Sequence, residues 1–196
     1  MVNIEWIDNR TFVLILQHPQ EKKEALTTAA ATVAALRRSA LAVGLSWPNL
    51  SGALGRAADP KRWAVLYLGS ARPALLDHQG EIIALDRRGR PVADQSAALR
   101  GLEGVVLLDG SWSEAKTLWW RNPWLLKLRR LVLDPRHPSR WGSIRREPRR
   151  EALSTLEATS LLLNRLDGGL EIEATLLGRL DRLIAEARPA GGHGRI

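Results

Sequence analysis

The chain contains no cysteine. That excludes disulfides, thiolate zinc sites and a cysteine nucleophile. Its four histidines are scattered at His18, His78, His137 and His193, a spacing that makes no metal motif, so no metal is expected. No apolar run approaches the roughly 18 residues a membrane span needs. The opening Met1-Val2-Asn3-Ile4-Glu5-Trp6 lacks the basic-then-apolar pattern of a signal peptide. A cytoplasmic protein without a membrane partner is the expectation. No G-x-G-x-x-G follows a strand and no G-x-x-x-x-G-K-[ST] occurs, so the dinucleotide and phosphate-loop signatures are absent.

Acidic residues are also in short supply, 21 against 29 basic ones, for a net charge of +8. The sequence pI is about 10.9. Of the basic residues 24 are Arg and 5 are Lys. Arg offers a planar fork to phosphate and stacks on bases, and a domain pI above about 9 is an electrostatic footprint of nucleic-acid binding. Aromatic content is almost entirely indole, with eight Trp against one Tyr and one Phe. The 45% hydrophobic content over 196 residues supports a sizeable core and one domain by default. Neither an internal repeat nor a linker is visible. A single domain over residues 1–187 is expected, with 188–196 a disordered Gly-rich tail.

Short apolar runs alternate with helical periodicity, which predicts an α/β fold with a mainly parallel sheet flanked by helices. Strands are expected at Thr11–Leu16, Leu41–Trp47, Trp63–Leu68, Glu81–Leu85, Val105–Asp109 and Leu131–Leu133. Helices are expected from Leu26 to Arg38, from Ser111 until Pro123 interrupts, from Leu153 to the Gly168-Gly169 pair, and from Glu171 to Ala187. A helical turn is expected between Ala97 and Leu102. Trp112, Lys116, Trp119, Trp120 and Trp124 recur at helical spacing, a pattern that suits a packed core more readily than a base-stacking platform.

The pivotal stretch is Leu107-Leu108-Asp109-Gly110-Ser111-Trp112. It joins a buried strand to a helix whose Ser111-x-x-Glu114 has capping-box spacing. Asp109 then lies at the carboxyl end of a strand, where open α/β sheets place their ligands; taken alone it is more readily a turn former. Ser154-x-x-Glu157 repeats the box at the start of a later helix. Leu68-Gly69-Ser70 and Leu133-Asp134 are two more strand ends that could line a cofactor. Between Arg129 and Arg150 lie eight Arg and two acids, so this segment carries +6 of the net charge, together with Trp141 and several Gly/Pro breaks. A long basic loop with an aromatic suits contacts to a nucleic-acid backbone and to single strands.

At these residues the sequence resembles the DTW-domain family. Asp109-Gly110-Ser111-Trp112 is similar to its Asp-x-Thr-Trp signature, with Ser for Thr. Arg145 through Pro148 to Leu153-Ser154-Thr155-Leu156-Glu157-Ala158 resembles its second motif. Gln17-His18-Pro19 with Glu21, and the strand into Leu68-Gly69-Ser70, are similar to its earlier landmarks. The family's N-terminal Cys cluster is missing. The resemblance implies a tRNA-uridine aminocarboxypropyltransferase. Such an enzyme moves the 3-amino-3-carboxypropyl group of S-adenosylmethionine to N3 of a tRNA uridine and releases methylthioadenosine. It also implies a SPOUT-like fold with a C-terminal trefoil knot.

On that reading Asp109 is the catalytic residue, as base or as positioning acceptor for the uridine N3 proton. Leu68, Gly69, Ser70, Gly110, Ser111, Trp112, Leu133, Ser154, Thr155 and Glu157 would line the S-adenosylmethionine site. Glu157 would be either the capping partner or a ligand for the cofactor's ammonium. Arg136, Arg140, Arg145, Arg146, Arg149 and Arg150 would hold tRNA phosphates. The rival readings are an S-adenosylmethionine-dependent RNA methyltransferase and a non-catalytic RNA-binding protein.

Overall fold

The structure, a computed structural model, describes residues 6–21, 28–66, 81–134, 139–140 and 153–187. Six strands form one sheet: β1 (Phe12–Gln17), β2 (Ser39–Val43), β3 (Trp63–Leu66), β4 (Ile82–Leu85), β5 (Gly104–Asp109) and β6 (Arg129–Leu133). Their order is β2-β1-β5-β3-β6-β4. All neighbours are parallel except β4, which runs antiparallel to β6 at the edge. The expected α/β class with a mostly parallel sheet is therefore observed. Every residue of β5 is buried and so are five of six in β1, as a continuous apolar run demands when both faces of the sheet are covered.

The covering helices are α1 (Thr28–Ala35), α2 (Leu50–Leu54), α3 (Gln95–Leu99), α4 (Trp112–Arg121), α5 (Thr155–Leu163) and α6 (Leu170–Ala187). On one face Val13, Ile15, Val105 and Leu107 pack with α1, α3, α5 and α6. On the other, Leu14, Leu16, Val106 and Leu108 pack with α2 and α4. Alternate residues of the same two strands feed the two cores, the period-2 geometry of a strand. A fully buried Leu, Ile or Val contributes about 1.5–3 kcal/mol, and these two strands supply eight buried ones.

Trp63 is fully buried and its ring lies against the backbone of Gly104, the first residue of β5. A Cβ there would meet the indole at 2.5 Å, so only Gly lets β5 start beside this Trp. The strand expected over Leu41–Trp47 lies at Ser39–Val43 instead. Trp47 leaves the sheet because its N–H donates to Asn122 Oδ1 at 2.9 Å, fastening it to the C-cap of α4. Pro123 interrupts α4 as expected, and residues Pro123–Lys127 form a 3-10 turn. The Trp stripe is divided by that break: Trp124 is buried, Trp119 half-buried and Trp120 exposed. Gly168 takes φ +70 where the Gly pair was expected to stop the helix. No helix among the described residues is long and apolar enough to cross a membrane.

Candidate functional site

The chain leaves β1 through α1 on one face and leaves β5 through α4 on the other, moving towards opposite edges of the sheet. The carboxyl ends of β1 and β5 therefore flank a topological switch point, where open α/β sheets form a crevice. Gln17 and Asp109 end these strands and lie abreast in register. Both are buried.

Among the described residues, Gln17 and Thr155 direct the Asp109 carboxylate. Gln17 Nε2 donates to Oδ2 at 2.8 Å. The Thr155 hydroxyl, in the first turn of α5, donates to Oδ1. The backbone ties the same strands beyond their ends, since His18 N–H donates to the Asp109 carbonyl at 3.0 Å. A carboxylate at the centre of the sheet is thus held by a β1 amide and an α5 hydroxyl.

After Asp109 the chain turns through Gly110, at φ +155. A Cβ there would stand 2.8 Å from Glu114 Cβ and 3.4 Å from His18 Cβ, so the turn is closed to any larger residue. The capping box expected at Ser111 forms: the Ser111 hydroxyl accepts from Glu114 N–H, and Glu114 Oε2 accepts from Ser111 N–H at 2.7 Å. Glu114 Oε1 also lies 3.6 Å from His18 Nδ1. Burial pushes the Glu114 carboxyl up. Donation from the Ser111 backbone and hydroxyl, a hydrogen bond with Glu21 and the charge of His18 outweigh it and hold the group below its ordinary value. His18 and Glu21 thus support the turn that carries Asp109.

The second box also forms, with Ser154 as N-cap of α5. Glu157 is buried, and its two oxygens accept from Ser154 N–H, the Ser154 and Ser139 hydroxyls, and Arg140 N–H at 2.6–2.9 Å. The capping role of Glu157 is the one this geometry displays. It also anchors the Ser139-Arg140 stretch of the basic segment. The Arg140 guanidinium meets Asp181 of α6 at 3.0 Å on the surface.

The structure thus brings together Asp109, Gly110, Ser111, Ser154 and Thr155, with Trp112 in the first turn of α4 and the Lys116 ammonium 5.3 Å from its ring. Leu133 ends β6, two strands from β5, at a spacing of about 4.8 Å per strand. Leu68, Gly69, Ser70, Arg136, Arg145, Arg146, Arg149 and Arg150 lie outside the described residues, as does the tail at 188–196. Sequence reasoning missed Gln17 as the partner of Asp109. The available signal was a polar amide ending an otherwise apolar strand, which only the register turns into a contact.

A family model described as DTW domain matches residues 2–188. The tRNA-uridine aminocarboxypropyltransferase 2 of Drosophila melanogaster is 32% identical over 173 residues, covering 87% of this chain and 62% of that protein. The tRNA-uridine aminocarboxypropyltransferase 2 of Macaca fascicularis is 27% identical over 193 residues, covering 95% of this chain and 58% of that protein. The chain spans about three-fifths of the length of these curated relatives. No solved structure matches.

Proposed function

The chain belongs to the DTW-domain family, and on that premise we propose that it transfers the 3-amino-3-carboxypropyl group of S-adenosylmethionine to N3 of a tRNA uridine. The observation that carries the reading is the Asp109 carboxylate, buried at the switch point and aimed by Gln17 and Thr155. S-adenosylmethionine, when bound, supplies an electrophilic carbon beside a sulfonium that leaves as the neutral thioether of methylthioadenosine. The chain's part is to orient two substrates and manage one proton.

Asp109 receives or directs the uridine N3 proton. Gln17 and Thr155 fix the direction of its oxygens, so the acceptor is positioned before the base arrives. Ser154, Thr155 and the N-terminus of α5 suit the carboxylate of the transferred group, because a helix N-terminus favours an anion. Gly110, Ser111 and Trp112 form the adjoining wall, with Leu68, Gly69, Ser70 and Leu133 assigned to the cofactor's remaining contacts. Glu157 serves the site by holding Ser154 in its cap. Arg136, Arg140, Arg145, Arg146, Arg149 and Arg150 are assigned to tRNA phosphates, a role supported by the concentration of charge in this segment. The reading extends to a single domain over residues 1–187 and a SPOUT-like C-terminal knot, both supported by the family resemblance.

The test is incubation of the protein with tRNA and S-adenosylmethionine labelled in either the carboxyl or the methyl position. Carboxyl label retained on the RNA supports the transfer. Methyl label alone overturns it in favour of methylation, and no label on RNA overturns it in favour of binding without catalysis.

A further inference from the structure

Helix α4 carries a line of side chains that the core does not use. Trp112, Lys116 and Trp120 stand at i, i+4 and i+8, successive positions along one ridge of a helix. The Lys116 ammonium lies 5.3 Å from the Trp112 ring. Trp120 is 78% exposed, whereas Trp63 and Trp124 are buried. The exposed positions from Trp112 to Lys127 include three cations, Lys116, Arg121 and Lys127, and no acid. Glu114, the helix's acid, is turned back into the cap. The ridge begins at the turn after Asp109, so it leads outward from the candidate site.

We propose that this ridge is a stacking surface for single-stranded RNA, taking the loop nucleotides beside the target uridine; it rests on the tRNA reading above. Two properties point to that occupant together. An exposed indole offers a π-face that accepts any base, and neighbouring cations of one sign track a phosphate backbone. A protein partner would favour few charges at the core of its interface. The length also fits. Eight residues of helix advance about 12 Å at about 1.5 Å each, room for three or four bases stacked at about 3.4 Å.

The experiment is binding of a labelled uridine dodecamer and of unfractionated tRNA, followed by anisotropy without S-adenosylmethionine. Trp120→Ala weakens both about tenfold, Trp120→Phe keeps most of the affinity, and Lys116→Gln lowers the salt slope by about one. Unchanged thermal unfolding of each variant verifies the fold, as expected for exposed positions. Affinity of Trp120→Ala within twofold of wild type overturns the ridge. So does a Trp120→Ala variant that loses only binding to anionic phosphatidylserine vesicles, or only self-association. Lost RNA affinity in Trp120→Ala, with no label transferred by wild type, would keep the ridge and sink the transferase reading. Transfer with unchanged Trp120→Ala binding would do the reverse.

Discussion

Two Ser-x-x-Glu boxes flank Asp109, alike in sequence and different in reach. In the first, Ser111 and Glu114 cap α4, and among the described residues Glu114 gains His18 and Glu21, just past the end of β1. In the second, Ser154 and Glu157 cap α5, and Glu157 also takes the hydroxyl of Ser139 and the N–H of Arg140. The first box steadies a turn. The second fastens Ser139 and Arg140 to the helix whose first residue, Thr155, holds the carboxylate. A local capping signal therefore identifies a helix start but does not say what else its glutamate carries.

That contrast can be broken at several points. The residue between the boxes has the largest expected effect. Asp109→Asn keeps a side chain of the same shape and is expected to lower aminocarboxypropyl transfer about 10²–10⁴-fold, the range for a positioned acid–base group. The check is a single-turnover assay with tRNA and labelled S-adenosylmethionine, together with unchanged tRNA affinity. Full activity would reduce Asp109 to a turn former.

Glu157→Gln comes next, because it weakens several bonds to one buried charged group. The expected cost is about 1.5–3 kcal/mol, read as a fall of several degrees in Tm at about 2–4 °C per kcal/mol. Glu114→Gln is expected to cost less, since Glu114 is only half-buried and its tie to His18 is a looser 3.6 Å contact. The reverse ranking in thermal unfolding would overturn the distinction between local cap and long-range anchor.

Removing the hydroxyls sharpens the same point. Ser111→Ala and Ser154→Ala should each cost about 0.5–2 kcal/mol, the usual value of an N-cap. Both should lower transfer, since both residues line the proposed site, and Ser154→Ala should lower it more, because it loosens the turn that positions Thr155. Equal activity losses in both variants would say that the boxes do the same work.

The smallest effect is in pH. Glu114 lies below its ordinary value of 4.5 when folded, so the stabilisation it gives is present above that pH and is lost as pH falls through the lower folded value. The Tm difference between wild type and Glu114→Gln should shrink as the pH is lowered from 6 to 3. A difference that grows on acidification would give the opposite sign and remove Glu114 from the list of stabilising carboxylates.

Much of this arrangement was legible in the sequence, for identifiable reasons. Continuous apolar runs located β1, β3 and β5, because a strand buried on both faces cannot hide its composition. The Ser-x-x-Glu spacing located the starts of α4 and α5, because a cap is a contact within four residues. The bonds from Gln17 and Thr155 to Asp109 were not legible. They span 92 and 46 residues and exist only once register and helix packing are fixed. The fate of the Trp stripe was decided the same way. Pro123 showed where the helix would stop, but only packing buries Trp124 and leaves Trp120 in solvent.

The pairing of β1 with β5 sets Gln17 level with Asp109. In a strand, each step of one residue moves a side chain to the opposite face. Deleting one residue between Phe12 and Leu16 would leave the strand apolar, yet Gln17 would turn away from Asp109 and the two cores would exchange their contributions from β1. The site should therefore tolerate many substitutions in these strands and hardly any change in their length. Insertions and deletions that persist should fall in the connections, where they leave the reading frame of the sheet intact.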